Sequence, residues 1–161
     1  MSNKEYQGVF VVVEQLDKVI SNVSYELIGR GKQLAKDLET NVTALLLGSG
    51  VAPLAQQLAA YGADRVIVVD DPALEPYMTE PYVHATTTAI QQYKPEVVLI
   101  GATAIGRDLA PRVSARIHTG LTADCTGLEV QEESKNLMMT RPAFGGNIMA
   151  TILCPDYRPQ M

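Results

Sequence analysis

Four short runs of aliphatic residues, each followed by a segment with helical spacing, set the strongest limit on how this chain can fold. Val9 to Val13, Val42 to Leu47, Val66 to Val69 and Val97 to Ile100 are almost unbroken apolar stretches. A strand with one face in water alternates polar and apolar residues, whereas one that is apolar throughout is covered on both faces. Ile20, Val23, Leu27, Ile28, Leu34, Ala35 and Leu38 then recur at helical spacing, with Ser21, Asn22 and Ser24 as capping candidates. A second helix is expected from about Val51 to Tyr61, with Pro53 in its first turn and Gly62 as its stop. Two more are expected near Pro81 to Tyr93 and Gly106 to His118. Four strand–helix pairs in succession predict an α/β fold, a three-layer sandwich with a mostly parallel sheet and right-handed crossovers.

After Gly120 the rhythm changes. From Leu121 to Leu153 the pattern reads as three strands, with a hairpin turn at Glu132 to Asn136 and a tighter one at Gly145-Gly146. The final residues, CPDYRPQM, are expected to trail off without helix or strand, at a domain boundary or awaiting a partner element.

Charge and cysteine usage narrow the function classes. The net charge is −5 without a block of like charges, which argues against duplex nucleic acid or an anionic membrane as the main partner. No stretch approaches the roughly 18 apolar residues of a membrane span, and MSNKEYQG lacks an apolar signal core. Cys125 and Cys154 lack metal-ligand spacing and read as small buried hydrophobes in a reducing cytoplasm.

Several positions are candidates for a site. The loop Gly101-Ala102-Thr103-Ala104-Ile105-Gly106 leaves a parallel strand and opens a helix, where backbone N–H groups favour an anion. It matches neither the dinucleotide fingerprint nor the phosphate loop, and a plain strand-to-helix turn has the same spelling. Arg107 opposes the positive end of the helix dipole, so it calls for a carboxylate partner, a ligand anion or local pairing with Asp108. Ser49, between Gly48 and Gly50, reads as a helix cap. Asp70 and Asp71, before Pro72, read as turn formers. His84 and His118 read as surface residues. The residues offer no acid, base or nucleophile constellation.

The segment TRPAFGGN, residues 140–147, joins two apolar strands through an arginine, a proline and two glycines. Paired glycines open backbone conformations closed to other residues and admit a flat ligand or another chain. Arg141 can present its planar fork to a carbonyl, an anion or a ring face. Pro142 removes a ladder donor and belongs at an edge or bulge. A bulged hairpin whose arginine faces water has the same spelling.

GATAIGRDLAPR (101–112), TGLTADCT (119–126), TRPAFGGNIMA (140–150) and CPDYRPQM (154–161) together closely resemble the alpha subunit of electron-transfer flavoproteins. The resemblance implies an N-terminal domain related to adenine-nucleotide alpha hydrolases. It would span 1–161 as a single domain, without the C-terminal domain that binds the alpha subunit's own FAD. It implies a heterodimer with a beta subunit that carries AMP or a second FAD, and acyl-CoA dehydrogenases or related reductases as redox partners. By the same resemblance Arg141, Phe144, Gly145, Gly146, Asn147 and Thr122 would line the beta-subunit flavin. The Gly-Gly-Asn form is closer to the flavin-bifurcating branch, which takes electrons from NADH. Competing readings are a nucleotide-binding module of the universal-stress type, an amide- or adenylate-forming hydrolase on the same fold, and a scaffold.

Overall fold

The computed structural model describes residues 5–143 and 145–161. In chain order the elements are β1 (Val9–Val13), β2 (Gln15–Leu16), β3 (Val19–Ile20), α1 (Asn22–Asp37), β4 (Val42–Gly48) and α2 (Ala55–Tyr61). β5 (Arg65–Asp70), α3 (Thr79–Tyr93), β6 (Val97–Leu99), α4 (Ala104–Arg116), β7 (Gly127–Val130), β8 (Leu137–Pro142) and β9 (Met149–Ile152) follow.

The sheet order β5-β4-β1-β6 is parallel throughout, with Val11 opposite Ala44 on one side and Leu99 on the other. Alternation along β1 explains its unbroken apolar spelling. Val9, Val11 and Val13 pack with Ile28, Leu34 and Leu58 of α1 and α2. Phe10 and Val12 point the other way, into the layer of Val83, Ile90, Leu109 and Val113 from α3 and α4. The result is the expected three-layer α/β sandwich. The chain builds outward from β1 through β4 to β5 and then returns to β6, so strand order reverses between β1 and β6. Crevices at such reversals are the usual ligand sites of open α/β sheets.

β7, β8 and β9 form the expected antiparallel arm, with β8 in the centre. Leu137 and Met139 turn into the α1–α2 side of the core, while Arg30 of α1 donates to the Leu128 carbonyl of β7. Pro142 meets the edge requirement in an unexpected way. β7 ends its pairing at Thr140, so on that side β8 has no neighbour at Pro142, and the missing N–H breaks no ladder.

Several boundaries and caps differ from the expectation. α4 starts at Ala104, two residues early, because the Thr103 side chain caps it. The second helix divides into a 3₁₀ turn at Ala52–Leu54 and α2. Ser21 occupies the N-cap of α1 without a side-chain bond, while buried Ser24 bonds both the N–H and C=O of Glu14. The β2–β3 hairpin was not legible, since its turn is Asp17-Lys18, both left-handed without a glycine.

The tail has no helix or strand, as expected, but it does not trail off: it runs beside β6, where Gln160 forms an isolated parallel bridge to Val97. Gln160 and Met161 are buried. Among the described residues no helix is long and apolar enough to cross a membrane.

Candidate functional site

The crevice between the carboxyl ends of β1 and β6 is closed from within. Thr103 Oγ1 accepts from the Gly106 N–H at 3.0 Å and donates to the Glu14 carboxylate. Gly106 is required there, since a Cβ at that position would lie 1.7 Å from the Gly101 carbonyl oxygen. An incoming phosphate would meet Glu14, and the remaining space of about 30 Å³ holds a water or two. The Gly101–Gly106 loop is thus a capped strand-to-helix turn.

The loop after β4 is closed in the same way. Asp70 accepts from the N–H groups of Gly50 and Ala52 at 2.6 and 2.9 Å. These backbone bonds hold its carboxyl below the ordinary range. Asp70, rather than Ser49, supplies this cap, because the Ser49 side chain makes no such bond. Asp71 accepts from Ala73 N and shapes the following turn, as expected. His84, on α3, and His118, in the turn after α4, are both exposed, as expected.

Open space lies on the far side of β6. An apolar cleft of about 490 Å³ runs between α1, the edge of β6, α4 and the 121–125 loop, with Leu27, Leu99, Ala110, Leu137 and Met139 in its wall. At its mouth Arg107 pairs across with Asp124 at 2.8 Å. Asp108 is engaged elsewhere, accepting from Tyr77, Thr79 and Arg112 at 2.8, 2.6 and 2.5 Å. Arg107 has therefore found a carboxylate partner in a different loop. Both side chains are well exposed, so the pair contributes at most about 1 kcal/mol.

Cys125 joins this loop to the arm. Its thiol donates to the Thr122 carbonyl at 3.3 Å, and Thr122 N in turn donates to the Met161 carbonyl at 2.9 Å. Burial pushes the Cys125 thiol up, the Arg141 guanidinium pulls it back, and Asp124 raises it further. Thr122 thus bonds the Cys125 thiol directly, and Arg141 lies within electrostatic reach of it. Both cysteines are partly exposed, unlike the buried thiols expected.

Arg141 lies opposite Ala150 in the β8–β9 register and is half-buried. Among the described residues its guanidinium has no hydrogen-bond or ion-pair partner. The Ala143 N–H reaches the Ile148 carbonyl at 2.7 Å and closes the turn, in which Gly145 and Gly146 adopt φ of +81° and +74°. Among the described residues, and apart from each glycine's own chain neighbours, nothing lies within 4 Å of a Cβ built on either glycine. Their backbone conformation requires glycine, and the space beyond them is open. Asn147 is exposed, as are Ile148, Met149, Ile152 and Leu153, which form an apolar rim along β9. Phe144, the remaining candidate, lies outside the described residues.

A family model described as "Electron transfer flavoprotein domain" matches residues 9–161. The chain belongs to the electron transfer flavoprotein family. It is 50% identical over 161 residues to the electron transfer flavoprotein subunit alpha of Megasphaera elsdenii, covering 100% of this chain and 48% of the relative. The corresponding subunit of Clostridium acetobutylicum is 47% identical over 161 residues, with the same coverage. The lactate dehydrogenase (NAD(+),ferredoxin) subunit LctC of Acetobacterium woodii is 46% identical over 155 residues, 96% of this chain and 37% of the relative. The chain therefore spans about half the length, or less, of these relatives. The resemblance read from the four motifs is borne out at the level of the family and the alpha subunit.

Sequence reasoning missed one further cluster, formed by Glu96, Arg158 and Gln160. Arg158 Nε lies 2.6 Å from Glu96 Oε1, and both side chains are largely buried. Gln160 is fully buried and bonds both Glu96 and the N–H of Leu137. A polar residue in a proline-containing tail carries no sequence signal for such burial.

Proposed function

We propose that this chain is the part of an electron transfer flavoprotein alpha subunit that docks on a beta subunit and faces the flavin held there. The observation that carries this reading is Arg141, a half-buried cation without a partner among the described residues, beside a turn with open space over its backbone. A flavin fits that arrangement. Its carbonyl and ring-nitrogen edge is an acceptor for a guanidinium fork, and its flat ring tolerates close backbone approach only where side chains are absent. The exposed rim of Ile148, Met149 and Leu153 suits burial against a second subunit.

When bound, the flavin supplies the electron-transfer chemistry. Arg141 places a fixed positive charge near the electron-rich edge, Gly145 and Gly146 keep the approach clear, and Asn147 and Thr122 offer polar contacts at the margin. The chain does not itself exchange electrons in this reading. The alpha subunit's own FAD belongs to a further domain, and the partners are NADH- or acyl-CoA-dehydrogenase-type proteins or related reductases, in a reducing cytoplasm. Similarity to a relative named for NAD(+) and ferredoxin supports the bifurcating branch. The nucleotide-module reading loses support, because Glu14 and Asp70 already occupy the two loops that would receive phosphate.

The test is Arg141→Ala in the complex with a beta subunit. Loss of a charged hydrogen bond worth about 1.5 kcal/mol corresponds to about 60 mV on a one-electron couple. Wild-type far-UV circular dichroism is expected, together with a lower potential for the beta-site flavin or reduced flavin content. Unchanged potential and unchanged flavin content would refute the role.

A further inference from the structure

The tail residues 154–161 join three parts of the molecule at one point. Along the edge of β6, Gln160 N donates to the Glu96 carbonyl at 2.9 Å and Val98 N to the Gln160 carbonyl at 3.0 Å. The Gln160 side chain then bridges outward. Its Nε2 donates to Glu96 Oε1 at 3.1 Å, and its Oε1 accepts from Leu137 N at 2.8 Å. Leu137 is the first residue of β8, so a buried amide links the parallel sheet to the central strand of the arm.

Arg158 completes the cluster. Nη2 donates to Asn136 Oδ1 at 3.0 Å, just before β8, and Nη1 gathers the carbonyls of Cys154, Pro155 and Tyr157 within 3.2 Å. Its Nε faces Glu96 at 2.6 Å without a well-aligned hydrogen bond, so that contact is one of charge. Glu96 thus receives an arginine and a glutamine from the tail, and the same two residues hold Asn136 and Leu137 of the arm. Removing one member leaves a buried charge or a buried N–H without its partner, the situation in which such groups matter most.

Arg141 lies four residues along the same strand, about 13 Å from Leu137. A strand held at one end by directed bonds and along one face by Leu137 and Met139 has a defined direction, and its far end inherits it. We propose that Glu96, Arg158 and Gln160 are positioning residues that fix the seat of β8 on the parallel sheet and thereby the reach of Arg141. The value of that reach rests on the flavin reading given above, but the positioning itself is a property of this chain alone.

Cys125 provides a reporter that needs no flavin, because Arg141 acts on its thiol. The experiment compares the full chain with its Gln160→Ala variant by amide hydrogen exchange. In a Cys154→Ser background it also measures the pH dependence of Cys125 alkylation by iodoacetamide, with Arg141→Ala as reference. In Gln160→Ala, amides of residues 137–141 are expected to exchange on the order of tenfold faster while those of β1 and β4 keep wild-type protection. The alkylation midpoint is expected to move upward, in the same direction as in Arg141→Ala. Wild-type values for either readout, or protection lost evenly across the parallel sheet, would overturn the assignment. If Gln160→Ala does not fold, Arg158→Lys, which keeps the charge but loses the fork, is held to the same criteria with smaller shifts. Failure of the flavin reading would appear separately, as normal potentials in Arg141→Ala with both tail readouts shifted as expected.

Discussion

Two glycines inside helices should answer the same substitution with opposite signs. At Gly106, the second residue after the α4 start, a new methyl would sit 1.7 Å from the Gly101 carbonyl oxygen and 2.9 Å from its carbon. Both atoms are backbone, so no side chain can swing aside. Restoring ordinary contact requires the 101–103 loop and the helix to separate by more than about 1 Å. That movement strains the packing, about 1–3 kcal/mol, and disengages the Thr103 cap, about 1 kcal/mol. It also loosens the Thr103 bond to the Glu14 carboxylate, about 1.5 kcal/mol, while better helix propensity returns about 1 kcal/mol. Gly106→Ala should therefore destabilise the chain by about 3 kcal/mol, a large share of the 5–15 kcal/mol typical of native proteins. For a chain of this size the melting temperature should fall by about 6–12 °C. At Gly29, exposed in α1, a Cβ meets nothing within 4 Å among the described residues beyond the helix's own backbone. Gly29→Ala should stabilise by about 0.5–1 kcal/mol, raising the melting temperature by about 1–4 °C. Urea titration followed by circular dichroism, with slopes compared to confirm unchanged exposure on unfolding, reads both values. A Gly106→Ala midpoint within about 1 kcal/mol of wild type, or a Gly29→Ala protein less stable than wild type, would refute the packing argument.

Three further expectations follow from local geometry. Ser24→Ala leaves the backbone N–H of Glu14 without its partner, while the Glu14 carbonyl keeps the Ser21 N–H, and should cost about 1–3 kcal/mol in the same titration. Gly145→Val places a β-branched residue at a φ of +81° and should destabilise by about 1–2 kcal/mol, with faster amide exchange confined to the arm. Hydrogen bonds from Thr79 and Tyr77 hold the Asp108 carboxyl below its ordinary value of 3.8, and Tyr77 itself, raised to about 12 chiefly by burial, stays a donor throughout. A depressed folded value means that this stabilisation is complete above the unfolded value and lost as pH falls through the folded one. Asp108→Asn should thus flatten the acid limb of stability below about pH 4, measured by urea midpoints from pH 2 to 7; a limb as steep as wild type would count against it.

Much of the parallel sheet was legible because its strands are covered on both faces, so apolar runs such as Val9–Val13 needed no partner information. The turn at Gly145-Gly146 was legible because paired glycines take successive left-handed conformations at least cost, whereas the Asp17-Lys18 turn does so without that signal. What escaped depends on contacts between distant positions. Whether Arg107 would pair with Asp108 or with Asp124 is decided by the path of the 119–126 loop, which no local pattern encodes. Glu14 and Asp70 look like solvated acids in the sequence, yet each fills a loop that would otherwise invite a phosphate. The tail was misread for the same reason, since its partners are Glu96, Val98 and Leu137.

The docked tail also gives assembly an order in time. All four parallel strands are drawn from residues 9–99, whereas the bridge that closes the edge of β6 waits for Gln160. At a synthesis rate of about 5–20 residues per second, roughly 3–12 s separate the emergence of β6 from that of its last neighbour. During that interval the nascent chain carries an exposed sheet edge and an arm without its anchor. A ribosome paused in this window would display a half-built molecule to the chaperones around it.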